Sequence, residues 1–155
     1  MWRFGADFGV SVERPALLYS LALCLVVDGS LTRQADVDIR PLIRSLSFSE
    51  EEGNIIKDVL LTADLYGIES HGMQRMVRYH KGIEKGTIHP QAKPEVVFET
   101  PISAVIDGHN GMGQLISHFA MEKAIEKAKT TGVGIVSVRN SNHFGIAGYL
   151  SLIHI

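Results

Sequence analysis

The chain has 155 residues, 45% of them hydrophobic and 21% charged, with a formal net charge of −2 and a single cysteine. That length suffices for one domain with a packed core or for part of a larger one. The charge balance offers neither the basic surface of a nucleic-acid binder nor the composition of a disordered tail; the lone Cys24 excludes an internal disulfide and fits a reducing compartment.

Ala16 to Val27 is a mostly apolar run, too short to span a bilayer. Arg3 and Arg14 precede it, but Asp7 and Glu13 dilute the positive region and no small-x-small cleavage site follows. Residues 1–36 therefore read as a poorly matched leader, and a cytoplasmic location without a membrane partner is the expectation. From Asp38, Pro41 suits a first helical turn, and Ile39, Leu42, Ile43 and Leu46 make an apolar stripe, which predicts a short helix. Ser49 with Glu52 forms a capping box, and Ile55, Ile56, Val59, Leu60 and Ala63 follow helical spacing, so a second helix is predicted from Glu50 to Leu65, closed by Gly67.

Ser70 can cap a third helix running to about Lys85. On that helix His71, Arg75 and Tyr79 lie four residues apart and share one face. Imidazole, guanidinium and phenol together supply proton exchange near neutral pH, a planar fork for a carboxylate and an orienting hydroxyl, which suits a small organic acid. The same spacing is common on solvated helix faces. Gly72 weakens the helix, and its missing side chain would also let a ligand approach the backbone beside His71.

Gly86 to Pro94 is a turn-rich link and the best candidate for a domain boundary. Beyond it, Glu95–Glu99 and Ala104–Asp107 read as a β-hairpin about Pro101. A helix ending near Gly132 follows, with Leu115, Ala120, Met121, Ala124, Ile125 and Ala128 inward, and then a strand over Val133–Val138. The pattern is mixed α/β: a helical N-terminal part, then a hairpin, a helix and a strand.

That last strand runs into a polar, glycine-bearing loop, Arg139 to Gly148, which presents His143 beyond a strand end. Gly108, Gly111 and Gly113 could expose amides to an anion, but they do not match the dinucleotide pattern G-x-G-x-x-G, and a plain turn from strand into helix competes with that role. Although there are seven histidines, no H-E-x-x-H, paired C-x-x-C or acidic calcium loop occurs, so no metal is expected. His80, His89, His109, His118 and His154 read as surface or structural residues.

Three stretches, Ala63-Asp-Leu-Tyr-Gly-Ile-Glu-Ser-His-Gly-Met-Gln-Arg75, Gly111-Met-Gly-Gln114 and Asn140-Ser-Asn-His-Phe-Gly145, resemble the malate/L-lactate dehydrogenase family. This is the non-Rossmann family that also holds the ureidoglycolate and sulfolactate dehydrogenases, and the resemblance runs from about Val37 to Tyr149. It implies interconversion of a 2-hydroxy acid and its 2-oxo acid, with hydride passing to or from NAD or NADP. Such a reaction needs an acid/base for the hydroxyl proton and a cation for the substrate carboxylate.

By the same resemblance Arg75 takes the carboxylate, Ser70 and His71 form a hydrogen-bonded pair, and either His71 or His143 carries the proton, with His143 favoured. Tyr79 shapes the substrate pocket, while Asn140 and Asn142 orient His143 or touch the cofactor. The implied division is a leader over 1–36, a helical part over 37–90, the start of a cofactor-binding domain over 91–149, and a tail over 150–155 that looks like translated adapter sequence. Family members are longer, so the chain reads as an N-terminal fragment, inactive alone, of an enzyme that is a homodimer when complete. The competing reading is a non-catalytic small-acid-binding or oligomerisation module that uses Arg75 as its anion site.

Overall fold

Residues 46–152 are described by a computed structural model. Helix α1 spans Glu50–Leu65, and its first turn is closed by the capping box. The Glu52 amide donates to Ser49 Oγ at 3.2 Å, and the Ser49 amide donates to the Glu52 carboxylate at 2.9 Å. Glu50, Glu51 and Glu52 place negative charge at the positive end of the helix dipole. The stripe Ile56, Val59, Leu60 and Ala63 is buried. Ile56 and Leu60 enter one core with Leu46, Phe48, Met73, Met76, Tyr79, Ile88 and Met112. The leader and most of the helix expected from Asp38 lie outside the described residues.

The expected third helix does not form as one piece. Glu69–His71 and Met73–Arg75 are single 3-10 turns, and helix α2 occupies Met76–Glu84. The break falls at Gly72, with φ −87° and ψ −148°. There the Met73 amide donates to Asp64 Oδ2 at 2.9 Å, and a Cβ on Gly72 would collide with the Asp64 carboxylate. The reading of Ser70 as a helix cap is thereby corrected: it lies inside a 3-10 turn and its side chain caps nothing. So is the reading of Gly72 as an opening for a ligand, because the space belongs to Asp64.

Strand β1, Glu95–Glu99, pairs antiparallel with β2, Ser103–Asp107, in the register Glu95↔Asp107 to Glu99↔Ala104, with a bulge between Val96 and Phe98. Helix α3, Gly113–Thr131, then crosses to β3, Ile135–Arg139, which lies parallel to β2 from Ser103↔Ile135 to Asp107↔Arg139. The three-stranded sheet has the order β1-β2-β3. A parallel neighbour demands such a crossover, because a tight turn can join only antiparallel strands. Gly132 ends α3 in the left-handed region at φ +81°.

Ala104 and Ile106 of β2 are buried, as are Ile116 and Ala120 of α3, which packs on both β2 and β3. Of the residues expected inward on α3, only Ala120 is fully buried; the rest are half-buried, and Gln114, Ile116 and Lys127 take buried places that periodicity did not assign. Lys127 is tolerated there because its ammonium donates to Glu99 Oε1 and to the Thr100 carbonyl, both at 2.7 Å. A last helix, α4, covers Ala147–Leu152. None of the helices among the described residues is long and apolar enough to cross a membrane.

Candidate active site

The C-terminal ends of β2 and β3 lie side by side, and Asp107 ties them together. Its carboxylate accepts from Arg139 Nε at 2.8 Å, from Asn140 Nδ2 at 3.0 and 3.1 Å, and from the His109 amide at 2.9 Å. Those donors, the His109 amide foremost, hold its carboxyl down at about 2. Asn140 thereby sits at φ +50°, a left-handed conformation that asparagine tolerates, and the chain turns into the His143 loop.

Asn142 fixes the next step, donating from Nδ2 to the carbonyls of Asn110 at 2.9 Å and Gly111 at 3.0 Å. Gly113 has no side chain because the backbone of Asn142 and His143 lies against it, and Gly145, at φ +89°, rests on Val59. The glycine-bearing turn is thus a seat for the loop. Its amides at Gly108, Asn110 and Gly111 all donate to backbone carbonyls, leaving none of these three for an anion. Both asparagine amides, singled out for orienting His143 or touching a cofactor, donate within the loop's own scaffolding.

His143 is carried in this way to the face of α2 and the 3-10 turns. Its Nδ1 lies 2.9 Å from the Tyr79 hydroxyl and accepts from the Gly145 amide at 3.3 Å. The ring stands 5.2 Å from that of His71, tilted by 36°, and His71 Nδ1 pairs with Ser70 Oγ at 2.9 Å. Arg75 Nε donates to the Ser70 carbonyl. His71, Arg75 and Tyr79 therefore converge as expected, but through two 3-10 turns and a helix and with His143 from a distant loop as the fourth member.

Burial pushes His143 below the ordinary imidazole value, and the positive charges of Arg75, His71 and Arg78 push the same way. Both effects favour the neutral ring. Burial holds Tyr79 above the usual phenol value, against the opposing pull of Gln114, Arg75 and Arg78, so it remains a hydroxyl. His143, Tyr79, Arg75 and Ser70 border a cleft of about 660 Å³ that Arg78, Lys81 and Lys85 also line. Among the described residues no carboxylate lines it. The three extra cations escaped the sequence reading, although their spacing of three to four, from α2 to its C-cap Lys85, is a legible signal of one charged face.

The remaining histidines described lie elsewhere. His80 and His118 face Glu84 and Glu122 at i,i+4, and His109 pairs with Glu95 at 3.0 Å. Nowhere among the described residues do three His, Cys, Asp or Glu side chains gather to hold a metal ion.

Residues 35–154 match the family described as malate/L-lactate dehydrogenase. The chain belongs to this family. Over 111 residues it is 50% identical to the malate dehydrogenase of Pyrococcus abyssi, covering 72% of this chain and 31% of that protein. It is 46% identical over 110 residues to the L-sulfolactate dehydrogenase of Methanocaldococcus jannaschii, covering 71% and 32%. Among solved structures, the malate dehydrogenase of Pyrococcus horikoshii OT3 superposes with a TM-score of 0.72 at 48% identity, over 74% of this chain and 33% of that one. This malate/L-lactate dehydrogenase family chain thus spans about a third of the length of the relatives it matches. The matched stretch contains every member of the cleft.

Proposed function

We propose that the cleft is the acid-handling half of an NAD- or NADP-dependent 2-hydroxy-acid dehydrogenase. The observation that carries this reading is the meeting of His143, Tyr79, Ser70 and Arg75 at one cationic cleft, with His71 beside the His143 ring and paired with Ser70 Oγ. A guanidinium beside an imidazole whose neutral form is favoured is what the reaction asks for: a clamp for the carboxylate and a group able to exchange the hydroxyl proton.

In this reading Arg75 holds the substrate carboxylate, with Arg78 adding positive charge. His143 moves the proton through Nε2, Tyr79 orients its ring, and the Ser70–His71 pair fixes the other imidazole at the substrate. A second, apolar cleft of about 410 Å³ between α3 and β3 adjoins the first at Asn142 and is lined by Met121, Val136, Val138 and Phe144. Its chemistry suits a flat, weakly polar ring such as nicotinamide, with Asn142 at its edge and Asn140 holding the loop. A bound nicotinamide cofactor supplies or accepts the hydride. The names of the relatives, malate and sulfolactate dehydrogenases, point to a small hydroxy acid as substrate; the division near Gly86–Pro94, the homodimer and a cytoplasmic setting belong to the same proposal.

The test is oxidation of NADH and NADPH with a panel of 2-oxo acids, run on the complete open reading frame of the source locus. Turnover is expected, and His143→Gln should slow it by about 10²–10⁴, the usual range for general acid/base help. A folded complete protein that binds 2-oxo acids without turnover would replace this reading with that of a binding module centred on Arg75.

A further inference from the structure

Among the described residues the lysines and arginines fall into two groups. Lys57, Lys93, Lys123, Lys127 and Arg139 pair with Asp58, Glu52, Glu126, Glu99 and Asp107. The others are Lys129 and the four cations of the cleft, Arg75, Arg78, Lys81 and Lys85, none of which has an acid partner among the described residues. Like charges three or four positions apart on a helix repel one another. The face from Arg78 to Lys85 carries that repulsion with no carboxylate to offset it, and an anion entering the cleft would relieve it.

The lining also says which chemistry the cleft takes. Its neutral donors are already engaged: Gln74 Nε2 donates to the Glu69 carbonyl, the Thr87 hydroxyl to the Gly82 carbonyl at 3.1 Å, and Asn142 Nδ2 to the Asn110 and Gly111 carbonyls. What the cleft offers is charge, which suits a second acid group better than a hydroxyl or an amide. Arg75 spends Nε on the Ser70 carbonyl and keeps its two terminal nitrogens for a carboxylate. Arg78, one turn on, lies about 4.5 Å further along the helix axis. That spacing is comparable to the separation of the two acid groups in a four-carbon diacid.

We propose that Arg78 and Lys81 form a second anion subsite, which selects 2-hydroxy acids that carry a further acid group at the far end. This rests on the reading of the cleft as the substrate site and names its substrate class. Arg75 takes the carboxylate beside the reacting carbon, Arg78 forks onto the distal acid group, and Lys81 supplies a second positive charge there. Lys85 extends the same field along the cleft and favours entry of a doubly charged acid over a singly charged one.

The test compares oxaloacetate with 4-methyl-2-oxopentanoate, in which an isopropyl group of similar shape replaces the distal carboxylate, as substrates of the complete protein. The corresponding hydroxy acids, malate and 2-hydroxy-4-methylpentanoate, are compared in parallel by calorimetric binding with and without NADH, which needs no turnover. The diacid should be preferred by about tenfold or more, the lower end for a hydrogen bond to a charged group. Arg78→Gln should remove most of that preference, Lys81→Gln part of it, and Arg78→Lys should keep more of it than the glutamine variant. Both residues are exposed, so these changes leave the core untouched. Arg75→Gln should weaken both acids and preserve their ratio. A protein that distinguishes the two acids in neither measurement, or an Arg78→Gln variant with the preference intact, would overturn the proposal. So would a higher KM for NADH or NADPH in Arg78→Gln with the acid preference unmoved, which would assign the row to a cofactor phosphate. A binding preference that depends on Arg78 in a protein without turnover would support the subsite and strike the dehydrogenase reading alone.

Discussion

Gly72 shows how a single absent side chain shapes the site. The Asp64 carboxylate occupies the space a Cβ would need and takes the Met73 amide, so the chain is bent into the two turns that carry Ser70, His71 and Arg75. Burial, together with the charge of Glu69, raises the Asp64 carboxyl above its ordinary value, while the Met73 amide pulls it back. Gly72→Ala should destabilise the chain by about 1–3 kcal/mol, the range for forcing atoms into a packed place, measured by urea unfolding. Adding Asp64→Ala should recover part of that loss; if the double variant is weaker by the sum of the two, the collision is not the cause. The sequence showed that Gly72 weakens a helix, yet nothing local to it pointed to Asp64, eight residues earlier, as the group that needs the room.

At the scale of elements, the ends of β2 and β3 are held by Asp107, and the His143 loop depends on that junction. Its carboxyl is lowered from 3.8 to about 2 by the His109 amide, Asn140 and Arg139. A carboxylate depressed in the folded state contributes stability that is present above its unfolded value and lost as pH falls through its folded one. Thermal melts should therefore show stability declining as pH drops from about 4 toward 2. Asp107→Asn should be less stable at pH 7 and lack that part of the decline; an unchanged profile would remove Asp107 from the junction's account. The elements themselves were legible wherever their signals were local. The capping box fixed the start of α1, Gly132 the end of α3, and alternation with Pro101 marked the hairpin. The split of the third helix was not, because helical spacing of His71, Arg75 and Tyr79 is equally served by two 3-10 turns leading into α2.

Over the whole molecule, apolar surface remains uncovered among the described residues. Phe98 and Ile135 are more than half exposed, and β3 stands at one edge of the sheet with its outer backbone groups facing no further strand among those residues. Such an edge templates pairing with other chains. Sedimentation of the 155-residue chain should therefore show concentration-dependent association, and Ser137→Lys on β3 should weaken it; a chain monomeric at all concentrations would contradict this. Sequence alone determined the mixed α/β class, the main elements and the family, because capping, periodicity and turn residues act within a few positions and the Ser-His-Gly and Asn-His-Phe-Gly stretches are contiguous. Only the tertiary structure decided that His143 meets Tyr79 across 64 positions, that Asp64 and Asp107 set the turns on either side, and that Gln114 is buried. Those contacts depend on how α1, α2 and the βαβ unit pack together, and no spacing within the chain encodes a distance between elements.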